Sequence, residues 1–190
     1  MRDYNELVQV LAVLYLLSEY KRLGRYQISE ILSLGEGVVR RILKRLRDKG
    51  FVTTSRGGTS LTLRGKELLK AIFRKFDIKK VAEVNVTKII GSGYSGIGVC
   101  CSTLSQNVLK IRDEVVRGGA EGALILKFER GKLTIPYLDK EEIPGMHEFV
   151  ESVTKTFELS DGDVVIVGFN KKLGRALMGA IRATLAFHKE

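Results

Sequence analysis

The chain has 190 residues, 44% of them apolar, a formal charge of +10 from 32 Lys and Arg against 22 Asp and Glu, and two cysteines. This allows two small domains or one of ordinary size with a real core, and it excludes a disulfide framework. Residues 1–76 hold 16 Lys and Arg against 7 Asp and Glu while residues 77–190 hold 16 against 15, so a polyanion is expected to meet the first segment, where Lys and Arg displace counterions condensed on phosphates.

Residues 5–23 read as a first helix, closed by Gly24. Its stretch 11–17 is apolar but far short of the ~20 residues that cross a bilayer, and no cleavage site follows. No membrane span or secretory signal is expected, and the chain is placed in the cytoplasm. Packing within its own domain is the default for that stretch, and a dimer interface is the other role of such a helix. Residues 28–34 read as a short second helix with Ser29 as its cap, followed by the turn Leu34-Gly35-Glu36-Gly37. In helix 36–49, Val39, Ile42, Leu43 and Leu46 recur at i, i+3, i+4 and i+7, the spacing of one buried face. Arg40, Arg41, Lys44, Arg45 and Arg47 stand opposite. Gly50 ends this helix, and residues 51–54 and 59–63 suit two strands of a wing over 51–63, with Gly57-Gly58 permitting the positive φ angles of a tight turn. A last helix runs to about Phe76 with Leu68, Leu69, Ile72 and Phe73 inward. Residues 77–80 read as the junction, which divides the chain into domains 1–78 and 79–190.

Beyond it, residues 81–90 alternate as a half-buried strand does. Residues 97–102 suit a second strand, 104–117 a helix, and 122–128 with 132–136 a hairpin around Arg130-Gly131. Residues 144–159 are helical, with Phe149, Val150, Val153 and Phe157 on one side. Residues 163–167 form a continuous apolar strand of the kind buried inside a sheet. A final helix spans 172 to about 188, where Ala176, Gly179, Ala180 and Ala183 allow close packing.

Helix, turn, basic helix and β-ribbon in that order look like a winged helix-turn-helix. Glu36-Gly37-Val38-Val39-Arg40-Arg41-Ile42-Leu43-Lys44-Arg45-Leu46, then Lys49-Gly50-Phe51-Val52 and Leu61-Thr62-Leu63-Arg64-Gly65, resemble archaeal winged helix-turn-helix transcriptional regulators with an uncharacterised C-terminal α/β domain. The fold class expected is α+β: an N-terminal winged helix-turn-helix domain followed by a mixed α/β domain. The resemblance implies a transcriptional regulator whose partner is double-stranded DNA and whose second domain senses a small ligand or mediates assembly.

If helix 36–49 enters a major groove, Arg40, Arg41 and Lys44 are the candidates for base edges, since Arg bonds bidentately to guanine. Arg45, Arg47 and Lys49 suit phosphates, Arg56 at the wing tip a neighbouring phosphate or the minor groove, and Arg25, Tyr26 and Arg64 further phosphates. Winged helices act mostly as dimers on half-sites about one turn (~34 Å) apart, so a homodimer is expected.

The second domain offers two candidate ligand sites. Gly91, Gly93 and Gly96 form G-x-G-x-x-G after a predicted strand, a loop that brings backbone N–H groups to a phosphate. The competing reading is a Gly-rich hairpin, because the following residues look at least as much like a returning strand as a helix. Lys171, Lys172 and Arg175 lie between the buried strand and the last helix, where anions bind in α/β sheets, against the alternative of a solvated loop. Cys100-Cys101 with His147 or His188 has the wrong spacing for structural zinc and reads as two buried thiols. His147-Glu148 lacks the second histidine of H-E-x-x-H, and no nucleophile elbow, P-loop or triad context occurs. No enzyme, cofactor or metal is therefore expected. The alternatives are a cofactor-binding enzyme-like domain fused to a winged helix, and a winged helix that binds protein or RNA.

Overall fold

The structure, a computed structural model, describes residues 2–102, 107–136 and 143–187. The chain divides into two compact units, residues 1–75 and 76–190. Residues 77–80 do not form a linker, because a strand begins at Ile78.

The first unit runs α1 (Arg2–Glu19), α2 (Arg25–Leu32), α3 (Glu36–Asp48), β1 (Val52–Ser55), β2 (Gly58–Leu61) and α4 (Leu63–Lys75). The first helix stops before its expected end. Lys21 takes a left-handed φ of 59°, and Leu23 then forms an antiparallel bridge with Thr59, exchanging N–H···O bonds of 3.0 and 2.8 Å. The hairpin thus gains a third, one-residue strand from the segment before α2. The second helix starts three residues earlier than expected. Gly24 is its cap residue, with its N–H donating to Gln27 Oε1 at 2.7 Å, and Ser29 lies inside the helix, donating its hydroxyl to the Leu34 carbonyl at 2.6 Å.

Burial confirms the apolar face of α3: Val39, Ile42, Leu43 and Leu46 are all buried. Residues 11–17 of α1 are buried throughout. That stretch is apolar on every side because the chain itself surrounds it, so it offers no free face to a second copy. After α3, Gly50 turns left-handed at φ 74° and the Phe51 N–H donates back to the Leu46 carbonyl at 2.8 Å, satisfying one of the helix's unpaired carbonyls. Thr62 caps α4: its hydroxyl accepts from the Gly65 N–H at 3.1 Å and donates to the Gly50 carbonyl at 2.7 Å. This order of elements fits a winged helix.

The second unit runs β3 (Ile78–Val84), β4 (Ser95–Cys101), α5 (Val108–Arg117), β5 (Gly122–Glu129), β6 (Lys132–Thr134), α6 (Met146–Thr156), β7 (Val164–Asn170) and α7 (Leu173–Phe187). The five strands lie in the order β3-β4-β7-β5-β6, and every neighbouring pair is antiparallel. The continuous apolar strand expected at 163–167 is β7, and it is central. It needs no parallel sheet to be buried on both sides. Val165 and Val167 face a core built with Met146, Phe149, Val153 and Phe157 on the α6 side. Gly168 faces the other way, where Ala176 and Ala180 of α7 and Val115 of α5 close over it. The first strand sits at 78–84 instead of 81–90, and residues 85–90 turn, with the Ile90 N–H donating to the Val86 carbonyl at 2.8 Å. The hairpin around Arg130-Gly131 forms as expected, both residues taking positive φ (52° and 72°), which the two-residue turn requires. The start of the helix expected from 104 and the end at His188 lie outside the described residues.

Candidate nucleic-acid interface

In the first unit, the start of α2, the outer face of α3 and the β1–β2 hairpin wall a groove of about 720 Å³. Arg25 and Tyr26 stand at one side, Arg40, Lys44 and Arg47 along α3, and Thr54, Ser55 and Arg56 on the hairpin. The positions 40, 44 and 47 are i, i+4 and i+7, so their side chains share one side of the helix. All three are exposed. A concave cationic wall with hydroxyls opposite can hold a polyanion by charge and hydrogen bonds together.

The nine cations expected to contact DNA separate into two groups, and Lys49, beside Glu6, Leu68 and Ile72, belongs to the group away from the groove. Arg25, Arg40, Lys44, Arg47 and Arg56 converge on the groove. Arg41 and Arg45 lie toward α1, in a shallow depression shared with Asn5, Glu6 and Gln9, and Arg45 is ion-paired to Glu6. Arg64 is also away from the groove, its guanidinium 5.6 Å from the Phe51 ring centroid. For Arg41 and Arg45 the reason is rotation about α3: residues one apart diverge by about 100°, so a basic run cannot present every member to one wall.

Arg25 is held from two sides, 4.7 Å from the Tyr26 ring centroid and 3.9 Å from the Glu36 carboxylate. Its Nε is buried without an acceptor among the described residues. Tyr26 is 62% exposed, an aromatic face presented beside cations. Two contributors were not foreseen. Arg22 lies against the hairpin tip, its Nη1 3.2 Å from where a Cβ on Gly57 would stand; reading the first helix through Leu23 hid it. The hydroxyl row Thr54-Ser55 was legible as strand but not as groove wall, and Thr54 and Thr59 hydroxyls meet at 3.2 Å.

In the second unit, the glycine run is a loop between two strands. Gly91 and Gly93 take positive φ with open space around them. Gly96 belongs to β4, where a Cβ would stand 2.6 Å from Val86 Cγ1 and 2.8 Å from the Val84 carbonyl. A strand, not a helix, follows the loop, so the helix N-terminus that makes this motif bind phosphate is missing, and Gly96 is there for packing. Pairing of Ser95 with Asn170 brings the loop to the β7–α7 junction. There Lys171 Nζ is 5.9 Å from the Tyr94 ring centroid, and the Tyr94 hydroxyl donates to Glu121 at 2.9 Å, which raises the Tyr94 pKa. The Lys172 carbonyl accepts the Arg175 and Ala176 N–H groups at 3.0 and 3.3 Å, and Arg175 packs its Cδ 3.0 Å from where a Cβ on Gly119 would stand. The sheet being antiparallel, the strand-to-helix junction rule for parallel α/β sheets does not carry over to these three cations.

Cys100 and Cys101 are free and buried. As neighbours in a strand they point to opposite faces. Among the described residues, no group of three or more His, Cys, Asp or Glu is placed to hold a metal ion, and His188 lies outside them. No helix among the described residues is long and apolar enough to cross a membrane.

Two family models match the chain. One, described as "PH0730-like, N-terminal domain", covers residues 6–67, and the other, "Domain of unknown function (DUF4443)", covers residues 96–187. No curated protein matches. A solved structure described as a hypothetical protein, PH0730 from Pyrococcus horikoshii OT3, is 32% identical with a TM-score of 0.75, covering 95% of this chain and 91% of its own.

Proposed function

The chain belongs to the family of the hypothetical protein PH0730, and from that premise we propose that it is a DNA-binding transcriptional regulator. Its N-terminal unit is a winged helix that places α3 in the major groove of a duplex and the β1–β2 wing against the flanking backbone. The observation that carries this reading is the convergence of Arg25, Arg40, Lys44, Arg47 and Arg56 on one open groove, in the segment that holds nearly all of the excess positive charge. Arg40 and Lys44, on the outer side of α3, are assigned to base edges. Arg25 and Arg47 are assigned to phosphates, and Arg56 to a phosphate or the minor groove beyond the wing. Arg41 keeps its assignment to the duplex from the α1 side of the helix. In this reading the second unit senses a small ligand or mediates assembly, and the regulator acts as a homodimer on two-fold sites.

The test is equilibrium binding of fluorescent duplexes over a series of salt concentrations. Binding is expected to weaken with salt, with a log–log slope of about −0.9 per phosphate neutralised, and Arg56→Ala is expected to reduce that slope by about 1 on any sequence. Arg40→Ala is expected to cost about 1–3 kcal/mol on a selected site and less on random duplex. Duplex binding that is absent, or is untouched by both substitutions, overturns the proposal; retention of RNA binding in its place identifies an RNA-interaction module instead.

A further inference from the structure

The outward face of α5 carries an arrangement that the DNA reading does not use. Leu109 and Val116 are 61% and 44% exposed, although the same helix buries Ile111 and Val115. They are seven positions apart and so lie on nearly the same line down the helix. Between them, Arg112 and Asp113 stand exposed on opposite flanks of that line. The other acid of the helix is already engaged: Glu114 takes Arg117 at 2.5 Å and Arg182 at 2.8 Å. Arg112 and Asp113 have no ion-pair partner among the described residues.

We propose that α5 pairs with α5 of a second copy of this chain, side by side and parallel about a two-fold axis running along the helices. In that arrangement Leu109 meets Leu109 of the partner subunit and Val116 meets Val116 of the partner subunit. The two-fold brings opposite flanks together, so Arg112 lies beside Asp113 of the partner subunit and the reverse pair forms by symmetry. This is the logic by which flanking charges fix orientation in parallel helix pairs. An antiparallel pairing brings like flanks together, Arg112 against Arg112 and Asp113 against Asp113, so the charges select the parallel mode. The helix has 10 residues, about 15 Å, and such a contact is well below the ~800 Å² per partner of a stable interface. The dimer is accordingly weak, with a Kd of about 10 μM to 1 mM.

The contact gives a surface to the two-fold assembly proposed above, and it is measured without DNA, so its failure and that of the DNA reading are distinguishable. Sedimentation equilibrium of the full chain, up to about 1 mM, is expected to show monomer–dimer exchange. Arg112→Asp and Asp113→Arg should each weaken it at least about 10-fold, because each sets like charges side by side, and the double exchange R112D/D113R should restore it to within about 3-fold. Val116→Glu should abolish it. These residues are exposed, and circular dichroism of each variant verifies that its fold is intact. A strictly monomeric chain, a dimer indifferent to the single exchanges, or a double exchange that fails to restore association overturns the proposal.

Discussion

Arg45 of α3 is ion-paired to Glu6 of α1, 39 positions earlier in the chain. The pair turns one member of the basic run away from the groove that Arg40, Lys44 and Arg47 line. In the proposed reading, Arg45 accordingly serves as a tie between helices in place of a phosphate contact.

Arg45→Ala is expected to leave duplex affinity within about 2-fold of the parent, whereas Lys44→Ala weakens it roughly 10-fold or more. An exposed pair of this kind contributes at most about 1 kcal/mol, so urea unfolding of Arg45→Ala should shift little. Fluorescence anisotropy at one fixed ionic strength separates the two variants, and equal losses would return Arg45 to the interface.

Two glycines hold the hairpin against its supports. A Cβ on Gly58, which has φ 117°, would stand 2.8 Å from the Leu23 carbonyl, and one on Gly65 would stand 2.0 Å from the Phe51 carbonyl oxygen. Both contacts are with backbone, which cannot swing aside as a side chain can. Gly58→Ala and Gly65→Ala should each destabilise the first unit by roughly 1–3 kcal/mol, read as a lower urea midpoint. Gly91→Ala, with open space around a similar φ of 132°, carries only the backbone strain.

Asp163 is buried, and Lys79 Nζ reaches its two carboxylate oxygens at 2.7 and 2.8 Å while the Ser160 N–H donates at 2.9 Å. Removing the lysine strands a buried anion, so Lys79→Met should cost about 1–3 kcal/mol, less than for a fully buried pair because Lys79 is 39% exposed. The hydrogen bond to Asp163 raises the Lys79 pKa above its ordinary 10.5 against the opposing effect of desolvation. A raised lysine pKa means that the contribution is complete below about 10.5 and is lost as pH climbs through the raised value. The gap in urea midpoint between parent and variant should hold from neutral pH to about 10 and narrow above it.

The Cys100 thiol is pushed up to about 12, first by desolvation and then by the Asp163 charge, and burial likewise raises Cys101. The thiolate is the reactive form. Iodoacetamide at pH 8 should label the folded chain roughly 1000-fold more slowly than the urea-unfolded chain, as counted by mass spectrometry. Both pKa values being raised, these thiols favour folding below their ordinary 9.0 and cease to do so as pH rises beyond it. Comparable labelling rates in the two states would contradict their burial.

What the sequence made legible was periodic or local. The buried face of α3 follows from Val39, Ile42, Leu43 and Leu46, and the β5–β6 turn from Arg130-Gly131, because both are decided by residues a few positions apart. The end of α1 was not legible. Nothing between Tyr20 and Leu23 breaks a helix by itself, and the break is set by the bridge from Leu23 to Thr59, 36 positions away. The start of β3 escaped for a related reason: Lys79 and Lys80 look like a solvated junction until Asp163 and the Thr156 carbonyl bind them. In the groove the residue types were readable, but their division between two sides of α3 depends on where Glu6 lies.

The bridge between Leu23 and Thr59 has one further consequence. A hairpin joined to the chain just ahead of α2 is no loose flap, since its backbone is latched at the same point from which Arg25 and Tyr26 project. In the proposed reading, both jaws of the groove are set before a duplex enters, and capture then immobilises little beyond the tips of the long cationic side chains, at about 0.5–1.5 kcal/mol each. Such a clamp meets its guest without first having to assemble itself.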